Sequence, residues 1–539
     1  MKKIKNLLIS CSITLVLVSM ATYANEKPKD YGSAKNVIIM IPDGMSIEAL
    51  TTARWMTDNY SFTFDSWATG LVKTNNSSTP IADSAPAGTA MATGIKTESP
   101  FIGTYPTKAI MPGTKNFDEN LVKSPIATVL EGAYRTGRST GIVSTSNIQH
   151  ATPAAYTSHY PDRKNYQILG EQQVYQNMSV VLGAGSKYLR TEQRKDGEDL
   201  ITEIKNLGYD YINDTATLKA TTSNKIWGMF AEENMAYDID RDPIKEPSLA
   251  EMTKKAIETL SKNKKGFFLM VEGSEIDWAA HANDPVGVVS DIKAFDNAVK
   301  VAKEFADKNG DTVIIVASDH GTGGITFSAN TNEGRYDKTP LEEFTHIIKN
   351  AKFTGAKAAE LIEKNEKDIE SIIEKIYGFR INLEETQKIL EAKDKQKAIG
   401  QLVSSKSHIG WTTGGHVGGD VALYIYSTAK NTKKLMGTIH NSEIGEYTAD
   451  LLDLDLDKLT KNLYVDAIPT FEKKGAKVEF VEKTPNNFEL VITKGIQEIK
   501  VPMYKNYAIV NEKKIDLKGL TIFNGEKVYV PKSLIDMIE

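Results

Sequence analysis

The sequence has one cysteine, Cys11, in 539 residues. No internal disulfide can form, so stability must come from a buried core and from bound ligands such as metal ions. No block of Lys and Arg marks a nucleic-acid surface. The formal net charge of -5 supplies no global field to attract a small anion, so such a ligand needs a local positive site. The apolar run at residues 7–20 is too short for a spanning helix, which needs about 20 residues. Hydrophobic residues at 40% and charged residues at 25% are ordinary for a soluble globular protein. The length exceeds what one core supports, so more than one domain is expected.

The first 24 residues read as a secretory signal peptide. Lys2, Lys3 and Lys5 form the charged start, residues 7–20 the apolar centre, and Thr22-Tyr23-Ala24 a small-residue cleavage site. The expected location is therefore outside the cytoplasm: periplasmic, cell-surface or extracellular. Removing the segment deletes three lysines and no acid, taking the formal charge from -5 to -8. Residues 8–11 resemble a lipobox, but the apolar run follows Cys11 and does not precede it.

Short apolar runs at 36–41, 140–144, 180–182, 266–271, 312–317 and 421–426 alternate with helical patterns such as 248–261 and 285–308. Continuous apolar strands separated by helices imply an α/β fold: a doubly wound, mostly parallel sheet with helices on both faces. Ligands in such folds sit beyond the carboxyl ends of the strands. Within the catalytic domain expected at 25–457, residues 355–406 read as a helical insertion, most simply a solvated one. A linker is expected at 458–474. Residues 475–539 then read as a small β-rich domain, with short strands at 478–481, 488–492, 496–501, 507–510 and 526–530 and a hairpin signal at Asn524-Gly525.

Three carboxylates follow three buried runs: Asp43 in IPDGMS, Glu272 in VEGSEIDWAAH, and Asp319, with His320, in SDHG. One such Asp is ordinarily a cap or turn residue. Three that converge repel unless they are neutralised, and cations are the ordinary means. Asp277 and His281 are four apart and share a face if helical. His416 lies between glycines in GWTTGGHVGGD. Only eight histidines exist, and three of them, His281, His320 and His416, fall beside acidic or Gly-rich strand ends. Imidazole with carboxylate suits zinc, whereas carboxylate with hydroxyl and water suits magnesium.

Ser84, in IADSAPAGTAMATG, precedes Pro86 and an Ala- and Thr-rich run that suits a helix start. A helix N-terminus favours an alkoxide or a bound phosphate. The alternative is that Ser84 or Asp83 is simply a cap. No Gly-x-Ser-x-Gly elbow is present, so activation by metal fits better than a serine triad. Thr152 offers a neutral oxygen ligand and Arg163 a two-pronged donor for phosphate. His159 reads as structural.

Six motifs in order, IPDGMS, DSAPAGTAMATG, QHATPAA, VEGSEIDWAAH, SDHG and GGH, resemble the alkaline phosphatases over residues 34–457. The resemblance implies two zinc ions and one magnesium ion. Asp277, His281 and His416 would hold the first zinc. Asp43, Asp319 and His320 would hold the second, beside the nucleophile Ser84. Asp43, Thr152 and Glu272 would hold the magnesium, and Arg163 would bind phosphate. It further implies a phosphoserine intermediate, phosphomonoesters and inorganic phosphate as ligands, and often a homodimer. His150 and Trp278 stand where the enterobacterial pattern has aspartate and lysine. The His/Trp pair occurs in some marine and cold-adapted bacterial relatives, and it leaves the third metal open. The tail resembles the stalk-like domain named after the amine oxidase N-terminus. It has no His or Cys cluster for copper, and cell-surface contact is its expected role. A phosphodiesterase or sulfatase on the same scaffold is the rival reading, and a non-catalytic surface-binding protein is the rival of another class.

Overall fold

The structure, a computed structural model, describes residues 30–329 and 336–538. The expected signal peptide, 1–24, lies outside the described residues.

The strands of the main body are β1 (Asn36–Pro42), β2 (Ala68–Lys73), β3 (Ser139–Asn147), β4 (Val180–Ala184), β5 (Asp210–Ile212), β6 (Ile226–Met229), β7 (Phe267–Gly273), β8 (Thr312–Ala317), β9 (Gly321–Thr322), β10 (Ile325–Phe327), β11 (Ile409–Trp411), β12 (His416–Val417), β13 (Val421–Ser427) and β14 (Gly437–His440). Ten of them form one sheet in the order β14-β2-β13-β8-β1-β7-β3-β4-β6-β5. From β8 to β5 every pairing is parallel. β13 runs antiparallel to both β8 and β2.

β1 is buried along its whole length. Its alternate residues enter opposite cores, Ile38 and Met40 on one face and Val37, Ile39 and Ile41 on the other. That is what a strand covered by helices on both faces demands, and it explains the absence of polar alternation in these runs.

The helical insertion is not a solvated excursion. Helices Leu341–Asn350, Gly355–Lys364, Ile369–Tyr377, Leu383–Glu391 and Lys395–Lys406 extend it on both sides of the expected start. Their apolar stripes, including Ile348, Ile362, Ile373 and Val403, join the core that holds Ile38 and Met40.

Beyond the body, β15 (Val465–Asp466), β21 (Ile522–Phe523) and β22 (Val528–Val530) form a three-stranded sheet. β16 (Lys477–Thr484), β17 (Asn487–Lys494), β18 (Gln497–Pro502), β19 (Tyr507–Val510) and β20 (Lys513–Asp516) form an antiparallel meander. Residues 458–474 are not an open linker. Helices Leu456–Leu463 and Ala467–Lys473 flank Val465–Asp466, which pairs with β22. Burial of Leu463, Ala467 and Phe471 fixes the segment in place. Among the described residues no helix is long and apolar enough to cross a membrane.

Candidate active site

β7, β1 and β8 are adjacent, with β1 central. Their carboxyl ends bring Glu272, Asp43, Asp319 and His320 to one place, all buried. The helix Glu275–His281, directly after β7, carries Asp277 and His281 one turn apart. The antiparallel pairing of β12 with β9 sets His416 opposite Thr322, two residues past His320. Ser84 opens the helix Ser84–Thr93, where it is buried and its Oγ lies 3.1 Å from His320 Nε2. Asp83 occupies the cap position but makes no side-chain capping bond.

Three ligand groups result, each with donor atoms within 4.8 Å of one another: Asp277, His281 and His416; Asp43, Asp319 and His320; and Asp43, His150 and Glu272. Donor chemistry supports cations at the first two groups, and at the third through the carboxylates of Asp43 and Glu272. His281 Nδ1 donates to the Gly414 carbonyl at 2.6 Å, and His416 Nδ1 to the Ala82 carbonyl at 2.8 Å. A carbonyl only accepts, so both Nδ1 atoms carry a proton, and in the neutral imidazoles both Nε2 atoms offer lone pairs. Those two Nε2 atoms are 3.1 Å apart. Two facing lone pairs at that distance call for a positive centre between them. Asp277 completes the group, its Oδ2 3.2 Å from His281 and its Oδ1 3.7 Å from His416.

The buried atoms Asp43 Oδ1, Asp319 Oδ2 and Glu272 Oε1 have no hydrogen-bond partner. Buried carboxylate oxygens left without donors are costly unless a cation completes them. Burial, reinforced by Asp319, Asp277 and Glu272, pushes the Asp43 carboxyl well above its ordinary range. Burial also raises Glu272. For Asp277 burial acts upward, but His281, His320 and His416 outweigh it and hold the carboxyl below its usual range.

Thr152 Oγ1 donates to Asp43 Oδ2 at 3.3 Å, which puts it beside the third group. His150, placed by the sequence beside this group, also falls within ligand distance of it. Arg163 Nη2 lies 2.9 Å from His150 Nε2. Arginine only donates, so it occupies that lone pair and leaves the proton on Nδ1, which is buried without a partner. Burial and Arg163 together push the imidazole down to about 3, so it is neutral. His150 thus orients Arg163, and Trp278 packs edge-on against it with ring centres 5.6 Å apart. Arg163 Nη1 pairs with Asp83, the residue before Ser84. His159 lies apart from the groups, bonded to Gly103, Glu131 and Tyr464.

Several supporting residues escaped the sequence reading. Ser144 Oγ donates to Glu272 Oε2 at 2.5 Å and lies 3.0 Å from Ser274 Oγ. Thr322 donates to Asp277 Oδ1. Ser144 ends an apolar run and Thr322 lies in the Gly-rich SDHGTGG, but small hydroxyl residues are too common for either signal to stand out. Gly44 has φ +70°, and a Cβ there would lie 2.6 Å from Asp277 Oδ1. The turn after β1 therefore approaches the helix Glu275–His281 as only glycine permits.

Comparison with known proteins gives the family. Residues 34–454 match the family model described as alkaline phosphatase. Alkaline phosphatase 4 of Bacillus subtilis is 37% identical over 441 residues, covering 78% of this chain and 89% of that protein. The repressible alkaline phosphatase of Saccharomyces cerevisiae is 31% identical, covering 85% of this chain and 88% of that protein. A solved cold-active alkaline phosphatase from a psychrophilic Shewanella species superposes with a TM-score of 0.67 at 30% identity, covering 77% of this chain and 99% of its own. The chain belongs to the alkaline phosphatase family and is a hydrolase of phosphate monoesters.

Proposed function

We propose that hydrolysis runs in two steps through a phosphoserine on Ser84, with two zinc ions and one magnesium ion as cofactors. Asp277, His281 and His416 would hold one zinc, and Asp43, Asp319 and His320 the other. Asp43, Thr152 and Glu272 would hold magnesium, because the His150 lone pair is engaged by Arg163. Bound divalent ions lower the pKa of oxygen nucleophiles and neutralise phosphoryl oxygens.

The chain's own residues do the rest. The Ser84 Oγ, at a helix N-terminus, attacks phosphorus, the ester P–O bond breaks, and the alcohol leaves with a proton. Water then attacks the phosphoserine in line, the P–Oγ bond breaks, and Ser84 regains its proton as inorganic phosphate departs. Arg163, aligned by Asp83 and His150, donates two parallel hydrogen bonds to nonbridging oxygens. The carrying observation is the position of Ser84 Oγ, 3.1 Å from His320 Nε2 in a ligand group. Arg163 beside Ser84 favours monoesters, which present more anionic oxygens than diesters or sulfates.

Export is proposed from residues 1–24 alone. The mechanism is tested by incubating wild type and Ser84→Ala with a radiolabelled aryl phosphate and quenching in acid. Label is expected on the peptide holding residues 81–94 in wild type and nowhere in the variant. A variant still labelled on that peptide would overturn the assignment.

A further inference from the structure

The insertion delivers a charge to the rim of the site. Lys397 lies on the helix Lys395–Lys406, and its ammonium fills the space beside Gly414, where a Cβ would lie 2.1 Å from Nζ. Gly414 is the residue whose carbonyl fixes His281.

This placement is built, not incidental. Lys397, Gly400, Gln401 and Ser404 share one helix face by their spacing. Gly400 lets that face press on the turn just past His281: a Cβ there would lie 2.8 Å from the Asn283 carbonyl oxygen. Gln401 Nε2 donates to Asn283 Oδ1 at 3.2 Å, and Ser404 Oγ to the Asn283 carbonyl at 3.2 Å. The helix is therefore indexed to the element that carries Asp277 and His281. Another lysine of that helix, Lys406, is neutralised by Glu385 at 2.8 Å. Among the described residues, no carboxylate lies within ion-pair distance of the Lys397 ammonium.

Burial shows which way a substrate must lie. The His320 side chain is 0% exposed, whereas that of His281 is 37% exposed. The phosphoryl group belongs at the closed end, with Ser84 and His320. The leaving group, opposite the attacking oxygen, would emerge on the more exposed His281 side, the side where Lys397 packs on Gly414. We propose that Lys397 is a specificity residue that reads a second negative charge on the leaving group. The favoured substrates are then phosphomonoesters that carry a carboxylate or a further phosphate a few bonds from the ester oxygen. This inference rests on the phosphomonoesterase reading above.

The test uses the metal-loaded full chain and pairs of substrates matched in leaving-group reactivity: phenyl phosphate with carboxyphenyl phosphate, and propyl phosphate with propane-1,3-diyl bisphosphate. The readout is the ratio of kcat/KM for the anionic member to that for the neutral member. Lys397→Ala is expected to lower this ratio about fivefold, the upper size of an exposed ion pair, chiefly through KM. Lys397→Arg should restore it and Lys397→Glu should lower it further. In wild type the ratio should fall as salt is raised, because a charge that is only partly buried is screened. A response in the first pair alone identifies a carboxylate, and in the second pair alone a phosphate. A ratio unchanged in all three variants overturns the proposal and leaves Lys397 a role in holding the Gly414 loop. Wild type inert on both neutral substrates would instead overturn the phosphatase reading itself.

Discussion

Gly44→Ala measures how closely the turn after β1 is fitted to the helix that carries two of the site's ligands. Gly44 has φ +70°, and an added Cβ would meet Asp277 Oδ1 at 2.6 Å, its Cα at 2.7 Å and its Cβ at 2.8 Å. Gly310, which ends the helix Pro285–Asn309, has nearly the same backbone, φ +74°, with nothing within 4 Å of its added Cβ. Gly310→Ala therefore isolates the left-handed backbone term, about 1 kcal/mol. Gly44→Ala carries that term plus the overlap, for which small-to-large changes in packed regions give about 1–3 kcal/mol. A loss of roughly 2–4 kcal/mol is expected for Gly44→Ala against about 1 kcal/mol for Gly310→Ala. The displaced Asp277 and Asp43 should also lower kcat/KM on the order of 100-fold, as 1 Å misplacements do. Urea denaturation and aryl phosphate hydrolysis of both variants supply the two readouts. Equal stability of the two variants, with Gly44→Ala activity within about threefold of wild type, would refute the close fit.

Two further perturbations probe the junction between the body and the C-terminal strands. Arg194 is fully buried between Glu171, at 3.3 Å, and Asp196, while Lys505 from the C-terminal meander reaches Glu171 at 3.6 Å and Glu198 at 2.6 Å. Arg194→Met strands the buried Asp196 carboxylate and leaves Glu171 with Lys505 as its cation, which should cost about 3–5 kcal/mol in urea denaturation, partly recovered by adding Asp196→Asn; a loss under about 1 kcal/mol would contradict this. For Glu131, burial acts upward, but His159, the Tyr464 hydroxyl and the Thr128 amide outweigh it and hold the carboxyl below its usual range. Its contribution to stability is therefore complete above the unfolded value near 4.3 and disappears as pH falls through the folded value. Glu131→Gln should flatten the acid limb of the stability profile, and an unchanged limb would show that the depression is absent.

The central sheet was legible because its strands are buried on both faces. The run read at 36–41 is β1 at Asn36–Pro42, and that at 312–317 is β8. Strand β2, paired with β14 and β13, was not legible, since ATGLVK is half-exposed and lacks the apolar run that marks a buried strand. Nor does an apolar run reveal strand direction, so the antiparallel β13 looked like its parallel neighbours. At the site, the charged ligands announced themselves by position after apolar runs. Ser144 and Thr322 act through hydrogen bonds to those ligands, and such roles depend on proximity that sequence spacing does not encode. The structured segment 458–474 escaped for the same reason: its strand is two residues long and exists only by pairing with β22.

The central claim is that converging carboxylates and imidazoles hold divalent ions around Ser84. Its most direct test is the metal content of the purified protein, measured together with aryl phosphate hydrolysis before chelation, after chelation and after zinc and magnesium are restored. Bound zinc, loss of hydrolysis on chelation and its return with the added ions are the expected results. Undiminished hydrolysis by a chain stripped of metal would contradict the claim.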